Sequence, residues 1–379
     1  MAQVEFSYYS YFPCLQSSEA EHLAYRELAD EDKEAILPVF EINQAKNEAS
    51  LQESIDSISG AIGDRPFILD LSKDRAPPAY VQKNNPDHVR IAQTQALQDA
   101  YNAAMTALLA PENGFVAWRN LIANFPNAIP VLQFTDPATQ ANSVLRQAVR
   151  LSDGGSECIA VRISQDTNPA IFGLIGQIIA ILESASRLLI ILDCGQGRQM
   201  VTERVEFARQ AIARILEEIE PSQAPYVSAV CMSDFFTTPP NGDGVRVYEN
   251  GAWGLWSQAS EGFALLFGDY CGHRRLKKNN TFMPGDWKAR VTYPLDDAWL
   301  IYKHANSQDA QGWITGAQEI RDHEDFVGFP ECWGGTVLER ASNDDIAGLQ
   351  SGRFWDAAKI NMHIHRQIRF SQEVMNPEE

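Results

Sequence analysis

The sequence predicts an α/β protein built on an eight-stranded parallel (β/α)8 barrel of the TIM type, with a C-terminal α+β extension packed on it. Two observations carry that expectation. Eight short apolar runs recur along the chain, and most are separated by stretches of helical periodicity. Within the runs the apolar residues are continuous rather than alternating with polar ones. Such strands are buried on both faces, as in a parallel sheet covered by helices. An open doubly wound sheet is the alternative, but no GxGxxG loop follows the first run.

The first run is 8–15 (YYSYFPCL), followed by a helix from Glu19 to Asp30 that Ser17 or Ser18 caps. The second, 36–42 (ILPVFEI), precedes a helix over 50–62. The third, 67–72 (FILDLS), leads into a long segment with helical patterns over 88–109 and 114–124. Runs four to six are 128–134 (AIPVLQF), 158–164 (CIAVRIS) and 187–195 (RLLIILDCG), each followed by a helix, over 139–151, 168–185 and 200–219. The seventh is 226–233 (YVSAVCMS). A segment with Pro239-Pro240, several glycines and little helical pattern separates it from the eighth, 262–270 (GFALLFGDY). The barrel is therefore placed in residues 1–279. Residues 280–379 hold a strand-like 291–304, a helix-like 309–322 and a strand-like 360–370 (INMHIHRQIRF). They carry too many aromatics for a solvated tail and are expected to pack on the barrel.

The 379 residues are 45% hydrophobic and 21% charged, ordinary values for a globular protein, with a formal net charge of −19. Such a surface repels bulk nucleic acid and anionic membrane, so contact with phosphate needs a local basic patch. The N-terminus shows no basic stretch followed by an apolar core. The most apolar helical stretch, 171–182, is too short to span a bilayer. A soluble, cytoplasmic protein is expected. The six cysteines form no CxxC pair, so reduced structural thiols are expected as well.

In (β/α)8 enzymes the site lies at the C-terminal ends of the strands. Here those ends offer Glu41, Asp70 with Lys73, Gln133, Arg162, Asp193, Ser233 with Asp234, and Asp269. Carboxylates converging on one mouth are costly unless they bind a cation, a metal or each other, and such clusters suit acid–base work. Glu41, Asp70, Asp193 and Asp269 are the candidate acid–base or metal-binding groups. Oxygen ligands of this kind favour Mg2+ or Mn2+ as cofactor. Lys73, Arg162, Arg274 and Arg275 are the candidate ligand-binding cations, the last two within 271–278 (CGHRRLKK), where this fold often binds phosphate. The structural alternative is a buried ion-pair network at the mouth and a solvated basic loop. His363 and His365 lie two apart on the strand-like 360–370 and so share one face, though satisfied structural histidines are the simpler reading. A barrel glycosidase is disfavoured because the fourth run ends in Gln133 rather than a carboxylate.

The chain resembles the Beta protein family, named after a phage T4 product and also found in bacteria. The resemblance rests on YFPCL near the start, LPVFEI, FILDLS, the GDY after the eighth run and YPLDDAWLIYKH. It continues in ECWGGTVLERA and SGRFWDAAKINMHIH, which look like the family's Cys-Trp-Gly segment and its closing Trp…Asn-His-His. Two positions depart: Met362-His363 stands for His-His, and Gly334-Gly335 for Gly-Asp. The resemblance implies a role in phage–host conflict, as defence or counter-defence. Two readings stay open. One is an enzyme, a hydrolase or phosphoesterase whose mouth takes a phosphorylated small molecule or nucleotide. The other is a non-catalytic recognition protein that binds a phage protein or another partner, or assembles with itself. Seven of the eight tryptophans lie beyond residue 250 (Trp253, Trp256, Trp287, Trp299, Trp313, Trp333 and Trp355), and tryptophan is enriched at binding hot spots.

Overall fold

A computed structural model of the chain describes residues 4–44, 50–72, 88–196, 201–220, 224–232, 244–272, 287–307 and 309–375. The chain begins with a 3-10 turn (Phe6–Tyr8) and then runs β1 (Phe12–Gln16), α1 (Glu19–Arg26), α2 (Asp30–Glu34), β2 (Val39–Ile42), α3 (Leu51–Ile62) and β3 (Phe67–Leu71). It continues through α4 (His88–Leu108), α5 (Val116–Ile122), β4 (Ala128–Pro130), α6 (Pro137–Asp153), β5 (Ile159–Ser164) and α7 (Phe172–Leu182). Next come β6 (Leu188–Gln196), α8 (Val201–Glu218), β7 (Tyr226–Met232), β8 (Val245–Glu249), α9 (Gly251–Ala259) and β9 (Leu266–Asp269). The hairpin β10 (Lys288–Pro294) and β11 (Ala298–Ser307) precedes α10 (Gln311–Arg321), α11 (Trp333–Ser342) and α12 (Gly352–Met375).

Local chemistry sets the helix starts. Ser50 accepts from the Glu53 N–H while the Glu53 side chain accepts from the Ser50 N–H, a reciprocal capping box at α3. Asp136 caps α6 with Pro137 at its first position.

Eight strands form one sheet in the order β4-β3-β2-β1-β9-β7-β6-β5, and every pairing in it is parallel. The two end strands touch: Val131, just past β4, bridges in parallel to Ala160 of β5, and the Leu132 N–H donates to Ala160 O at 2.8 Å. Alternate strand residues divide between two cores. Phe12, Cys14, Val39, Ile68, Ile129, Ala160, Leu189 and Ile191 meet on one face, where Phe6 of the opening turn joins them and, among the described residues, no α-helix contributes. Their neighbours Leu15, Phe40, Leu69, Val161 and Ile190 pack on the other face against the helices. The continuous apolar runs follow from this, because both faces are dry.

The remaining strands form a second sheet, β10-β11-β8, antiparallel throughout. Its buried face (Val291, Tyr293, Leu300, Tyr302) packs with α10, α11 and one side of α12. The stretch 360–370 is helical, not the strand-like segment the sequence suggested. Ala357, Ile360, Ile364 and Ile368 recur at helical spacing and enter the main core, while Trp355, Ala358 and Met362 enter the second. A helix apolar on two sides looks strand-like over short windows. In α12, His363 and His365 consequently point to different neighbours rather than sharing a face.

Among the described residues no helix is long and apolar enough to cross a membrane. Cys14, Cys158, Cys194, Cys271 and Cys332 are free thiols, all but the last buried.

Candidate functional site

The inward side of the sheet changes character at the C-terminal ends of the strands. One pleat beyond the apolar cluster, the same parity brings in Glu41 (β2), Asp70 (β3), Gln133 (after β4), Arg162 (β5), Asp193 (β6) and Tyr270 (after β9). All six are buried. Arg162 is their centre. Its Nε lies 2.7 Å from Asp70 Oδ2, and its Nη1 lies 3.4 Å from Asp193 Oδ2 and 3.6 Å from Glu41 Oε2. Nη1 also donates to the Tyr270 hydroxyl at 3.1 Å, which donates on to Asp193 Oδ2 at 2.8 Å. Gln133 Nε2 donates to Asp70 Oδ1 at 3.0 Å, and its backbone N–H is held by Gln147 Oε1 of α6 at 2.8 Å. Backbone N–H groups complete the carboxylates, from Leu71 to Asp70 Oδ1 and from Gly195 to Asp193 Oδ1. Burial alone would weaken the guanidinium's hold on its proton. Asp70, Tyr270, Glu41 and Cys14 outweigh that and raise its pKa well above the usual value.

Three carboxylates thus share one cation. Among the described residues, the donor Nη2 of Arg162 and the acceptor Oε1 of Gln133 are buried with neither a hydrogen-bond nor an ion-pair partner. A buried polar atom left unpaired costs about 1–3 kcal/mol, so such atoms mark a place where a ligand or water completes the set. No group of three or more His, Cys, Asp or Glu that could hold a metal ion occurs among the described residues. The cation these carboxylates surround is the guanidinium itself.

Asp269 does not join this cluster. It has the opposite parity on β9 and faces α12. Tyr11 OH donates to its Oδ1, the Cys271 N–H donates to the same oxygen at 2.8 Å, and His363 Nε2 lies 2.7 Å from Oδ2. Burial pushes the Asp269 pKa up, but the imidazole, Tyr11 and the Cys271 N–H outweigh it and hold the carboxyl below its ordinary value. Trp299 stacks on the His363 ring, centroids 4.5 Å apart. His365 instead binds Asp32 of α2, Nδ1 to Oδ2 at 2.7 Å. Lys73, Ser233, Asp234, Arg274 and Arg275 lie outside the described residues.

Sequence reasoning missed Tyr270, Gln147 and Tyr11. In GDY only one of two adjacent polar residues can face the side that holds Arg162 and Asp193, so the motif narrows the choice to Asp269 or Tyr270 without deciding it. The apolar run before it gives no parity. Gln147 and Tyr11 carry no sequence signal of their role. The tryptophans are mostly core: Trp253, Trp299, Trp313 and Trp355 are buried, Trp256 and Trp333 pack against the cores, and Trp287 alone of the seven is exposed, at 44%.

The model of the Beta protein family matches residues 11–369. The chain belongs to the Beta protein family. A phage relative is Protein beta of Enterobacteria phage P4, 25% identical over 379 residues, covering 98% of this chain and 96% of that protein. The phage is P4, not the T4 the sequence reading attached to the family. No solved structure matches the chain. In this family member the Cys-Trp-Gly-Gly segment is a packing device. A Cβ on Gly335 would stand 1.9 Å from Pro330 O, and one on Gly334 would stand 2.3 Å from Ala358 O.

Proposed function

We propose that the protein is a (β/α)8 barrel acting in phage–host conflict, whose strand-end cluster binds a nucleoside or nucleotide by the edge of its base. The observation that carries this is the pairing of an unpartnered buried donor, Arg162 Nη2, with an unpartnered buried acceptor, Gln133 Oε1, in one network. A ligand edge that sets an acceptor beside a donor satisfies both, and nucleobases present such edges. The parallel order with β4 bridged to β5 supports the closed barrel, and the family's phage member supports the biological setting. The cluster carries three carboxylates to one guanidinium, so a phosphate is repelled from its centre. Arg162 accordingly serves as a hydrogen-bond donor to the base and not as a phosphate clamp. Asp70 and Asp193, fixed by their own backbone and side-chain partners, orient that donor. Glu41, at 3.6 Å the carboxylate held least closely by the guanidinium, is the candidate general acid–base group of an enzymatic version of this reading.

The test is calorimetric titration of the intact protein with the four common nucleosides and with inorganic phosphate, alongside phage plating on cells expressing it. At least one nucleoside binds and phosphate does not displace it. Arg162→Lys and Gln133→Leu, with circular dichroism unchanged, each weaken binding at least about tenfold, the value of one lost buried hydrogen bond, and reduce phage restriction. Absence of nucleoside binding by the folded wild type refutes the reading.

The recognition reading keeps one specific support, the exposed Trp287, whose ring stacks flat on Trp313 at 5.0 Å. It requires Trp287→Ala to abolish restriction while nucleoside binding persists.

A further inference from the structure

We propose that the open end of the β10–β11 hairpin is a binding surface for single-stranded nucleic acid, with Trp287 as the platform for a base and Lys288, Lys303 and Arg246 as the partners of the phosphates. Trp287 immediately precedes β10 and is 44% exposed. Its ring lies on Trp313, with planes 7° apart, and Trp313 in turn lies within 10° of parallel to the buried Trp355. With one face on Trp313, the exposure of Trp287 belongs to its other face and its edges. Three near-parallel indoles hold the outermost ring rigid, so a base stacked on it loses little to ordering of the protein.

The register of the second sheet places the cations. Leu300 and Tyr302 of β11 turn toward α10 and α11, so Ile301 and Lys303 turn to the opposite face. Arg246 of β8 pairs with Ile301 and shares that face. It stands one diagonal step from Lys303, about 7–8 Å by ordinary sheet geometry. Lys288 follows Trp287 directly and pairs with Ser307 at the open end. Arg290, opposite Lys303, is already engaged by Asp356 at 3.3 Å. Lys288, Lys303 and Arg246 have no hydrogen-bond or ion-pair partner among the described residues. The one carboxylate carried by these three strands is Glu249, and it pairs with Ala298, which has the parity of Leu300 and the other face. The crowding is felt at Lys303, where burial, and after it Lys288 and Arg290, lower the pKa. In a chain of net charge −19 this is a local basic patch.

Cations alone suit any polyanion, including an acidic stretch of a partner protein or a second copy of this acidic chain. The exposed ring selects among them. A carboxylate sets nothing on a flat indole face, whereas a nucleotide brings a base to the ring and a phosphate to the adjacent ammonium. In a duplex the base faces are already stacked on one another, so the fitting ligand is a single strand. None of these residues belongs to the cluster around Arg162, and the surface stands whether or not that cluster binds a nucleoside.

The experiment follows the fluorescence anisotropy of a labelled oligothymidylate of about 12 nucleotides, within the span of one such binding surface, as the full chain is added over a series of salt concentrations. The oligonucleotide binds at low ionic strength. Trp287→Ala weakens binding at least about fivefold, the low end for one lost stacked base, and Trp287→Phe restores part of it. Lys288→Gln/Lys303→Gln, with circular dichroism unchanged, lowers the slope of log affinity on log salt by about 1.4, the value of two phosphate contacts. No binding, affinity unmoved by Trp287→Ala, or a salt slope unmoved in the double variant overturns the proposal. Displacement by polyglutamate as effective as by unlabelled oligothymidylate also overturns it, in favour of an acidic protein partner. A wild-type dimer that the double variant dissociates does the same, in favour of a second copy.

Discussion

His363 Nε2 sits 2.7 Å from Asp269 Oδ2, and through this buried pair the last helix of the chain is fastened to the strand at the centre of the parallel sheet. Truncating one partner leaves the other polar group uncompensated in a dry site. His363→Ala should therefore cost about 3–5 kcal/mol of unfolding free energy, read by urea denaturation. A loss below about 1 kcal/mol shows that the pair does not hold α12.

The same carboxyl gives the acid limb of the stability curve. The pKa of Asp269 is lower in the folded protein than in the unfolded chain. Its contribution is complete above the unfolded value, near 3.9, and is lost as pH falls through the folded value. Between pH 5 and pH 3 the wild type should lose stability more steeply than Asp269→Asn. Parallel curves for the two proteins would contradict this.

Arg162→Met removes the one cation from Glu41, Asp70 and Asp193 while keeping most of the side-chain volume. The variant should be less stable by about 3–5 kcal/mol at pH 7. Urea denaturation checks this. A loss below about 1 kcal/mol would mean the three carboxylates do not depend on Arg162.

Glu21 titrates the opposite way. Burial raises its carboxyl to about 8, against the stabilising hydrogen bonds from Ser18 and the Gln16 N–H. The folded protein therefore binds the extra proton between the unfolded value near 4.3 and about 8, and stability falls as pH rises through that window. Glu21→Gln should flatten this decline, most visibly between pH 6 and pH 9. An unchanged slope would show that Glu21 is ionised in the native state at neutral pH.

Gly335→Ala should be among the most damaging single-methyl additions in the protein. The new Cβ meets the Pro330 carbonyl at 1.9 Å, and backbone cannot move aside as a side chain does. A cost of about 3 kcal/mol is expected, measured by thermal or urea unfolding. Gly176→Ala, where nothing lies within 4 Å, is the matched control and should be neutral or stabilising.

The eight runs were legible because strands buried on both faces write themselves as unbroken apolar words. That same continuity hid the pleat. Glu41, Asp70, Arg162 and Asp193 could be placed at strand ends, but nothing in GFALLFGDY says that Tyr270 turns toward Arg162 and Asp269 away from it. For α12 the failure has the same origin. A helix with one apolar side for the main core and another for the second sheet loses its polar face, and INMHIHRQIRF then reads as a strand. The glycines of the Cys-Trp-Gly-Gly segment were visible, but their reason is a contact with Pro330 and Ala358 that no local pattern announces.

The join between the two ends of the chain bears on its synthesis. Asn361 Nδ2 donates to Ala24 O, His365 binds Asp32, and Gln372 Nε2 reaches Ser10. The first strand and its helices thus wait for partners that leave the ribosome more than 300 residues later. At synthesis rates of about 5–20 residues per second that is an interval of roughly 20–70 s. Throughout it the nascent chain exposes the apolar face that Ile360, Ile364 and Ile368 will cover. Removing α12 would uncover that face and take the imidazole partners from Asp269 and Asp32.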